Sequence, residues 1–424
     1  MKDNIYVGMI GLGTVGGGVA KYFQEKLPSR ISLKTVAVRN LYKERDVKFP
    51  NLTTNPNDIL DDPEIDIVVE LMGGENPAKE YILKGIERGK SIVTANKVVI
   101  SKYAKEIFEA ARRKGVDVKF EASVGGGIQI IHTLERLRSD NISTIMGILN
   151  GTTNYILTRV SEGLEYNSAL RLAQERGFAE ADPELDVSGK DARDKLAILA
   201  SLVYNVNINP QEIYCEGITE ITPQDMDYAR ELEDGYVIKL LAVAKRSSDK
   251  LELRVQPALI NQRHPLATVR DEFNAIYLEG DMCGPQMYLG RGAGREATTS
   301  AVISDIACIA DNIRKEITDD LPTLNSSIEL LNKDDFRTRG YIRADLKDVV
   351  GTLEKVAGTL RKNEISIREV RQWGESIFKI DEEPFVHCVI TTYPAENRRI
   401  QTTLEELCKL DCVHGKPFFL RIEQ

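Results

Sequence analysis

A glycine-rich turn close to the start of the chain limits the possible folds more than any other feature. A short apolar run over residues 5–10 leads directly into Gly11-Leu12-Gly13-Thr14-Val15-Gly16, and an amphipathic segment follows. In a GxGxxG turn between strand and helix, the glycines allow a tight turn, close approach to a pyrophosphate and close helix packing. The helix N-terminus then offers free N–H groups to the phosphates. The pattern predicts a dinucleotide site that includes all six residues.

Alternating apolar and amphipathic segments extend this unit. Further apolar runs cover residues 33–38, 65–71 and 91–94, and helical segments such as 77–89 lie between the later ones. Strands that alternate with helices predict an α/β fold with a parallel sheet. Gly73 and Lys97 follow the third and fourth strands, at the carboxyl ends where such sheets bind ligands. We expect both to contact the cofactor, although an ordinary surface lysine is an equally good interpretation of Lys97.

The end of the second strand bears on the choice of nucleotide. An acidic residue there would bind a ribose 2′-hydroxyl, but the chain has Val38-Arg39-Asn40. The Arg39 cation suits a 2′-phosphate and favours NADP over NAD. Lys43 and Arg45 follow, and a solvated basic turn explains them nearly as well.

Three glycines follow another short apolar segment, in the sequence FEASVGGGI at residues 120–128. Such a loop can bind phosphate, can direct backbone carbonyls to a hard cation, or can be a turn without a ligand. The residues alone do not choose among these.

The segment from Glu180 to Lys195 combines six carboxylates with a lysine on an apolar helix. Asp191 and Lys195 are spaced i, i+4 and share one helix face. Carboxylates can bind a substrate ammonium, and a lysine can protonate an oxygen that becomes negative when a carbonyl accepts hydride. The alternative is a solvated acidic loop with an ion pair that contributes about 0.5 kcal/mol.

Composition excludes several classes of protein. The net charge of −9 argues against nucleic acid as the main partner, which would require a basic face. No apolar run approaches the roughly 20 residues that cross a bilayer, and the first residues run directly into a strand rather than a signal peptide. Six scattered cysteines without a CxxC motif predict reduced thiols, no structural zinc and a cytoplasmic location.

Taken together, several motifs resemble those of homoserine dehydrogenases over residues 5–320. They are GLGTVGGG, TANK, EASVGGG, NGTTNYIL, GFAEADPELDVSGKDARDKLAILA and GRGAGREATTSAVISD. The resemblance implies NAD(P)-dependent interconversion of L-homoserine and L-aspartate 4-semialdehyde, in the biosynthesis of threonine, methionine and isoleucine.

The resemblance also implies roles for individual residues. Lys195 would be the acid/base, and Lys97 would lie beside the cofactor and substrate. The remaining implied sites are Glu180, Asp186 and Asp191 for the substrate; Gly177, Gly292 and Gly294 for the cofactor; and Glu121, Val124, Gly126 and Ile128, whose oxygens would bind Na⁺ or K⁺.

The last 85 or so residues form a separate unit in sequence. After a polar linker at 334–340, the pattern is strand, helix, strand, strand, helix, strand, a ferredoxin-like order that resembles an ACT domain. Its turn reads Asp348-Val349-Val350-Gly351 and lacks the family's proline, although the glycine keeps the turn feasible. The resemblance implies threonine as effector; an oligomerisation module without effector is the alternative.

The expected architecture therefore has three parts. A Rossmann-type domain covers residues 1–135, with a returning segment near 300–320; an α+β catalytic and dimerisation domain covers 136–300; and an ACT domain covers 338–424. We expect a homo-oligomer, either a dimer or a tetramer.

Two other functions remain open. A semialdehyde enzyme acting through a thioester would need a nucleophilic cysteine with a base, and neither Cys215 nor Cys283 lies in such a motif. A non-catalytic sensor with an amino-acid-binding tail would bind the dinucleotide but would not oxidise homoserine.

Overall fold

The computed structural model describes residues 2–26, 30–373, 378–380 and 383–423. The strands are β1 (Ile5–Ile10), β2 (Ile31–Ala37), β3 (Leu52–Thr53), β4 (Ile67–Glu70), β5 (Ser91–Thr94), β6 (Val118–Lys119), β7 (Ile142–Ile148), β8 (Tyr214–Cys215), β9 (Tyr236–Ser247), β10 (Lys250–Asn261), β11 (Phe273–Gly280), β12 (Gly284–Arg291), β13 (Glu329–Leu330), β14 (Arg337–Lys347), β15 (Ile367–Gln372), β16 (Phe378–Ile380), β17 (Glu383–Thr392), β18 (Ala395–Glu396) and β19 (Val413–Glu423). The α-helices are α1 (Thr14–Glu25), α2 (Asn57–Leu60), α3 (Ala78–Glu87), α4 (Lys97–Lys114), α5 (Ile130–Arg136), α6 (Gly151–Val160), α7 (Tyr166–Glu175), α8 (Glu184–Val187), α9 (Lys190–Tyr204), α10 (Pro223–Glu231), α11 (Arg295–Lys315), α12 (Thr352–Lys362) and α13 (Asn397–Leu407).

The first sheet has six strands in the order β3-β2-β1-β4-β5-β6, and every neighbouring pair is parallel. This confirms the parallel α/β sheet predicted from the alternating segments. Helices α3 and α4 cover one face, and α1 and α11 cover the other. Because helices cover both faces, β4 and β5 are buried at every position rather than at alternate ones.

Helix α11 comes from much later in the chain than the other helices of this unit. Val302 and Ile306 are buried in the same cluster as Val19 and Phe23 of α1. The chain therefore returns to the first, parallel sheet after it has formed strands of the second sheet.

The second sheet is mixed and has 13 strands, with the main path β12-β11-β7-β9-β10-β19-β14-β17-β15. Its centre is the long antiparallel hairpin of β9 and β10. Helix α9, which carries the lysine and carboxylate of the acidic segment, packs against this sheet. The sheet thus supports the helix that carries Asp191 and Lys195.

The C-terminal unit has the order of elements expected from its pattern. Strands β19-β14-β17-β15 are antiparallel neighbours, and α12 and α13 pack on one face around Val356 and Leu404. Its last strand also pairs with β10 in parallel, with Ala258 opposite Arg421 and Ile260 opposite Glu423. The two units therefore share one continuous sheet.

A buried ion-pair cluster lies at this junction. Arg254 is fully buried, and its NH1 lies 2.5 Å from Oε1 of Glu423. Oε2 of the same carboxylate lies 2.9 Å from Nζ of Lys245, and Glu252 pairs with Nε of Arg254 at 2.6 Å. The last strand is therefore held to β9 and β10 by charge as well as by backbone hydrogen bonds.

Among the described residues, no helix is long and apolar enough to cross a membrane.

Candidate active site

One carboxylate joins two lysines where three elements converge. Nζ of Lys195 lies 2.7 Å from Oδ2 of Asp191 and donates to the Leu149 carbonyl at 2.7 Å. Lys97, the first residue of α4, contacts Oδ1 of the same carboxylate. The carboxyl end of β7 and the N-terminal turns of α4 and α9 thus bring together residues separated by almost 100 positions in the sequence. The structure confirms that Asp191 and Lys195 share one helix face.

The two lysines differ in burial and therefore in proton affinity. Lys195 is 8% exposed, and burial lowers its pKa despite the adjacent Asp191. Burial also acts to lower the pKa of Lys97, but there the Asp191 charge outweighs it and raises the pKa. For Asp191 itself, the charges of both lysines overcome burial and hold its pKa well below the ordinary value.

Asn150 is a site residue that the sequence analysis missed. Its side-chain amide donates to Oδ1 of Asp186 at 2.7 Å and to Oδ2 of Asp191 at 2.9 Å. Its carbonyl oxygen accepts from the backbone N–H of Thr153 at 2.8 Å and so caps helix α6. Asn150 is the first residue of the NGTTNYIL motif, and the preference for asparagine at helix N-caps was the available signal.

The substrate-binding candidates do not share one environment. Asp186 is half-buried beside Asn150, and burial raises its pKa although the Asn150 hydrogen bond opposes this. Glu180 is exposed, and no described residue forms a hydrogen bond or ion pair with its carboxylate. The structure therefore joins Asp186 to the lysine cluster and leaves the Glu180 carboxylate free.

The glycine turn has the geometry that its spacing predicted. Gly11 has φ +108° and lies so close to the Leu71 carbonyl that a Cβ would come within 2.6 Å of its oxygen. A Cβ on Gly16 would lie 2.3 Å from the Gly11 carbonyl oxygen, because α1 packs tightly on the turn. Gly13, in contrast, lies exposed at the start of α1, and a Cβ placed on it would have no neighbouring atom within 4 Å. Open space above Gly13 is what close approach of a pyrophosphate requires.

A buried carboxylate that the sequence analysis did not assign supports the crevice beside this turn. Glu70 at the end of β4 accepts hydrogen bonds from the Met72 amide at 2.8 Å and the Thr94 hydroxyl at 2.7 Å. Asn96 donates to the Gly74 carbonyl at 2.7 Å and caps α4, the helix that begins with Lys97. This network ties the carboxyl ends of β4 and β5 together beside the lysine cluster.

Known protein families match the regions of both the glycine turn and the lysine cluster. The homoserine dehydrogenase family model matches residues 128–307, and the model of that family's NAD-binding domain matches residues 11–121. Homoserine dehydrogenases of Bacillus subtilis and Synechocystis are 37% and 40% identical to the chain, over 99% of it and over 98% and 99% of their own lengths. The chain belongs to the homoserine dehydrogenase family.

Solved homoserine dehydrogenases have the same fold. A crystal structure from Thiobacillus denitrificans has a TM-score of 0.91 at 38% identity and covers 99% of this chain and 98% of its own. A hyperthermophilic archaeal homoserine dehydrogenase in complex with NADPH has a TM-score of 0.62 at 25% identity, over 73% of this chain and 98% of its own. As a family member, the protein is an NAD(P)-dependent oxidoreductase of amino-acid biosynthesis.

The other cofactor candidates of this homoserine dehydrogenase lie on exposed or tight turns. Arg39 is exposed, and Gly73 and Gly177 have positive φ angles of +70° and +75°. Gly294 precedes α11 with φ +112°, whereas Gly292 is buried so closely against Asn274 that a Cβ would lie 2.0 Å from its amide.

The loop of cation candidates is buried apart from Gly127. The Glu121 carboxylate is engaged by the backbone N–H groups of Ile131 and His132, each at 2.8 Å, and by Nδ1 of His132 at 2.9 Å. Gly126 packs against the Gly292 backbone. Since the Glu121 side chain anchors α5, a cation at this loop would be coordinated by backbone carbonyls, including those of Val124, Gly126 and Ile128.

Proposed function

We propose that this enzyme catalyses reversible hydride transfer between L-homoserine and L-aspartate 4-semialdehyde. The observation that carries the proposal is the Asp191 carboxylate shared by Lys97 and Lys195 next to the glycine-turn crevice. A buried lysine with a lowered pKa can exchange a proton at a lower pH than a free lysine, and a second, charged lysine can stabilise an alkoxide.

Lys195 would be the acid/base. Two of its donor positions are used by Leu149 and Asp191, which leaves one for the substrate oxygen. In the oxidising direction the neutral amine would take the hydroxyl proton; in the reducing direction the ammonium would return it. The bound nicotinamide supplies the hydride acceptor or donor.

Lys97 would remain charged and orient the substrate, because Asp191 raises its pKa. Asp186 and the exposed carboxylate of Glu180 would bind the substrate ammonium, with Asp191 holding both lysines in place. A carboxylate without a protein partner, such as that of Glu180, is free to form this ion pair.

The glycine turn fits a dinucleotide for two reasons. Its tight course depends on the positive φ of Gly11, and the open space above Gly13 leaves room for the pyrophosphate. The six residues of the turn would surround the pyrophosphate, with Gly73, Gly177, Gly292 and Gly294 lining the rest of the crevice. We favour NADP, since Arg39 stands where an NAD-specific enzyme would carry an acid. Backbone oxygens of residues 121–128 would bind Na⁺ or K⁺.

We propose three functional units: a cofactor domain of residues 1–135 completed by 300–320, a catalytic and dimerisation domain of 136–300, and an ACT domain of 338–424. The β19-β14-β17-β15 order supports the ACT assignment. Threonine would be its effector, and the enzyme would work in the cytoplasm as a homodimer or homotetramer.

The deciding experiment follows absorbance of the reduced nicotinamide with purified protein, L-homoserine and either NAD⁺ or NADP⁺. A homoserine-dependent rise is expected, faster with NADP⁺. If protein that demonstrably binds one of the dinucleotides gave no rise with either, the sensor function would replace the enzyme.

A further inference from the structure

The loop between β2 and β3 carries Arg39, the residue proposed to bind the 2′-phosphate of NADP. It spans residues 38–51, all of which lie outside helices and strands. Arg39 is exposed, and its side chain forms no hydrogen bond or ion pair with a described residue. A loop of this kind loses conformational entropy when it is ordered around a ligand, and contacts that order it beforehand reduce that cost. The contacts of the loop with the rest of the domain therefore affect how well Arg39 can bind.

The side chain of Arg45 braces the loop from within. Its NH2 donates to the Asn40 carbonyl at 2.7 Å, and its NH1 donates to the Lys43 carbonyl at 2.8 Å. The backbone N–H of Tyr42 donates to Oδ1 of Asn40 at 2.8 Å. Because Asn40 directly follows Arg39 in the chain, these bonds fix the backbone beside the proposed phosphate ligand.

The next residue, Asp46, anchors the loop to a distant part of the chain. Its carboxylate forms an ion pair with the guanidinium of Arg295, the first residue of α11. The hydrogen bond from Arg295 holds the pKa of Asp46 below its ordinary value, so the carboxylate is charged at neutral pH. Arg295 directly follows residues 292–294, the returning segment proposed to line the cofactor crevice. The ion pair therefore joins the loop of Arg39 to that segment.

Two glycines of α1 make room for this ion pair. The guanidinium lies over Gly17, where a Cβ would be 2.7 Å from NH2 of Arg295 and 3.7 Å from Oδ1 of Asp46. A Cβ on Gly18 would be 2.1 Å from Oγ1 of Thr299, one turn further along α11. Both glycines belong to the GLGTVGGG motif but follow its pyrophosphate turn. They let α11 lie so close to α1 that Arg295 reaches across it to Asp46.

From this geometry we propose that Arg295 and Asp46 are positioning residues for cofactor choice. Their ion pair across Gly17 holds the loop in the place where Arg39 binds the 2′-phosphate of NADP, and neither residue contacts the phosphate itself. NAD has no 2′-phosphate, so its binding does not depend on the pair. The inference rests on the proposed NADP preference and extends it to residues far from Arg39 in the sequence.

The sign of one effect distinguishes positioning from simple electrostatics. The 2′-phosphate is an anion, so removal of a carboxylate from the loop of Arg39 strengthens NADP⁺ binding if charge alone matters. Loss of a positioning contact weakens NADP⁺ binding instead. Substitution of Asp46 therefore gives opposite results under the two explanations.

The test titrates full-length enzyme with NADP⁺ and with NAD⁺ by calorimetry. Asp46→Ala should raise the dissociation constant of NADP⁺ about two- to fivefold, the range expected of an exposed ion pair. The dissociation constant of NAD⁺ and the kcat at saturating NADP⁺ should stay unchanged. Asp46→Glu keeps a carboxylate and should bind NADP⁺ like the wild type. Glu44→Ala is the matched control, because Glu44 is an exposed acid of the same loop that forms no ion pair with a described residue.

Gly17→Ala tests the same ion pair without removing either charge. The added methyl group displaces the flexible end of Arg295 and so separates it from Asp46. Alanine favours a helix more than glycine does, so the variant should fold. We expect it to weaken NADP⁺ binding to the same extent as Asp46→Ala, again without an effect on NAD⁺.

Trypsin digestion reports on the loop independently of cofactor titration. Residues 39–48 contain four lysines and arginines at which trypsin can cut. Cleavage within this range should be faster in Asp46→Ala and Gly17→Ala than in the wild type and Glu44→Ala. NADP⁺ should slow the cleavage in the wild type.

Other results would overturn the proposal. NADP⁺ binding that is unchanged or stronger in Asp46→Ala would show that the ion pair does not position the loop. Equal weakening of NADP⁺ and NAD⁺ binding would place the effect at the shared pyrophosphate turn. Equal affinity of the wild type for both dinucleotides would remove the preference on which the inference rests. A wild type that bound them as expected but did not oxidise homoserine would refute the proposed reaction and leave the positioning role intact.

Discussion

Lys195 and Lys97 share Asp191, yet burial separates their proton affinities. Burial lowers the pKa of Lys195 from the ordinary 10.5, so a neutral amine is available at a lower pH than for a free lysine. Below its pKa the ammonium cannot accept a proton. We therefore expect kcat for homoserine oxidation to rise with pH through a pKa below 10.5, and kcat for semialdehyde reduction to fall through the same pKa. Steady-state rates in both directions check this, and a pH-independent kcat would contradict it.

Removal of the Lys195 amine tests its role more directly. Lys195→Ala should lower kcat by about 10²–10⁴-fold, the usual contribution of a positioned acid/base, while dinucleotide affinity stays unchanged. Lys190→Ala is a matched control on the same helix, because that lysine is paired with Glu184 instead. Turnover by Lys195→Ala at the wild-type rate would show that another group handles the proton.

Asn150 combines a structural and a positioning role that substitutions can separate. Serine at this position keeps an oxygen that can cap α6 but lacks the amide that holds Asp186 and Asp191. We expect Asn150→Ser to lower kcat/KM about tenfold or more, from the loss of hydrogen bonds to charged groups. Asn150→Asp also keeps a cap but adds a third carboxylate, and it should lose more activity.

Thermal unfolding supplies the control for these variants. Asn150→Ser should keep Tm closer to that of the wild type than Asn150→Asp does, because the aspartate would bury a third carboxylate beside Asp186 and Asp191. If activity fell only in proportion to folded protein, Asn150 would be a helix cap and nothing more.

At the scale of the element, two positions of one turn require glycine for different physical reasons. A Cβ on Gly16 would collide with the Gly11 carbonyl, so Gly16→Ala should destabilise the protein by about 1–3 kcal/mol. Gly13 has φ −87° and open space, so Gly13→Ala should change the free energy of unfolding by no more than about 1 kcal/mol. Its methyl would occupy the space needed by the pyrophosphate, and the dissociation constant of NADP⁺ should rise.

Denaturant unfolding and dinucleotide titration of both variants separate the two effects. Unchanged NADP⁺ affinity in Gly13→Ala would mean that the pyrophosphate does not pass over this residue.

At the scale of the whole molecule, β19 joins the C-terminal unit to the catalytic sheet, and Glu423 is its charged anchor. Burial acts to raise the pKa of Glu423, but Arg254 and Lys245 outweigh it and hold the pKa far below the ordinary value. Glu423→Gln removes one of the two carboxylates that pair with the buried Arg254 and leaves only Glu252, and we expect it to lower the free energy of unfolding by about 3 kcal/mol.

The sign of the pH dependence follows from the depressed pKa. Glu423 contributes its full stability above its unfolded-state pKa of about 4.3 and loses that stability as pH falls below it. The difference in the free energy of unfolding between the wild type and Glu423→Gln should therefore become smaller at acidic pH. Chemical denaturation at several pH values measures it, with the exposed Glu405→Gln as control. If that difference in stability stayed constant or increased at acidic pH, the ion pair would not be its cause.

Local patterns in the sequence determined much of this protein. The glycine turn, the parallel sheet and the ferredoxin-like order of the last unit follow from periodicity and turn residues, because these are short-range properties of the backbone. The i, i+4 pairing of Asp191 with Lys195 is equally local. These are the features for which the sequence analysis and the structure agree.

Tertiary structure alone decided which residues meet. Lys97 reaches Asp191 only because α4 packs on α9, and Leu149 enters the site through a backbone carbonyl that no residue type reveals. The pairing of β19 with β10 joins strands that lie more than 150 residues apart in the chain. Such contacts form through burial of surfaces and charges over long sequence separations, and the linear pattern of residues does not encode their partners.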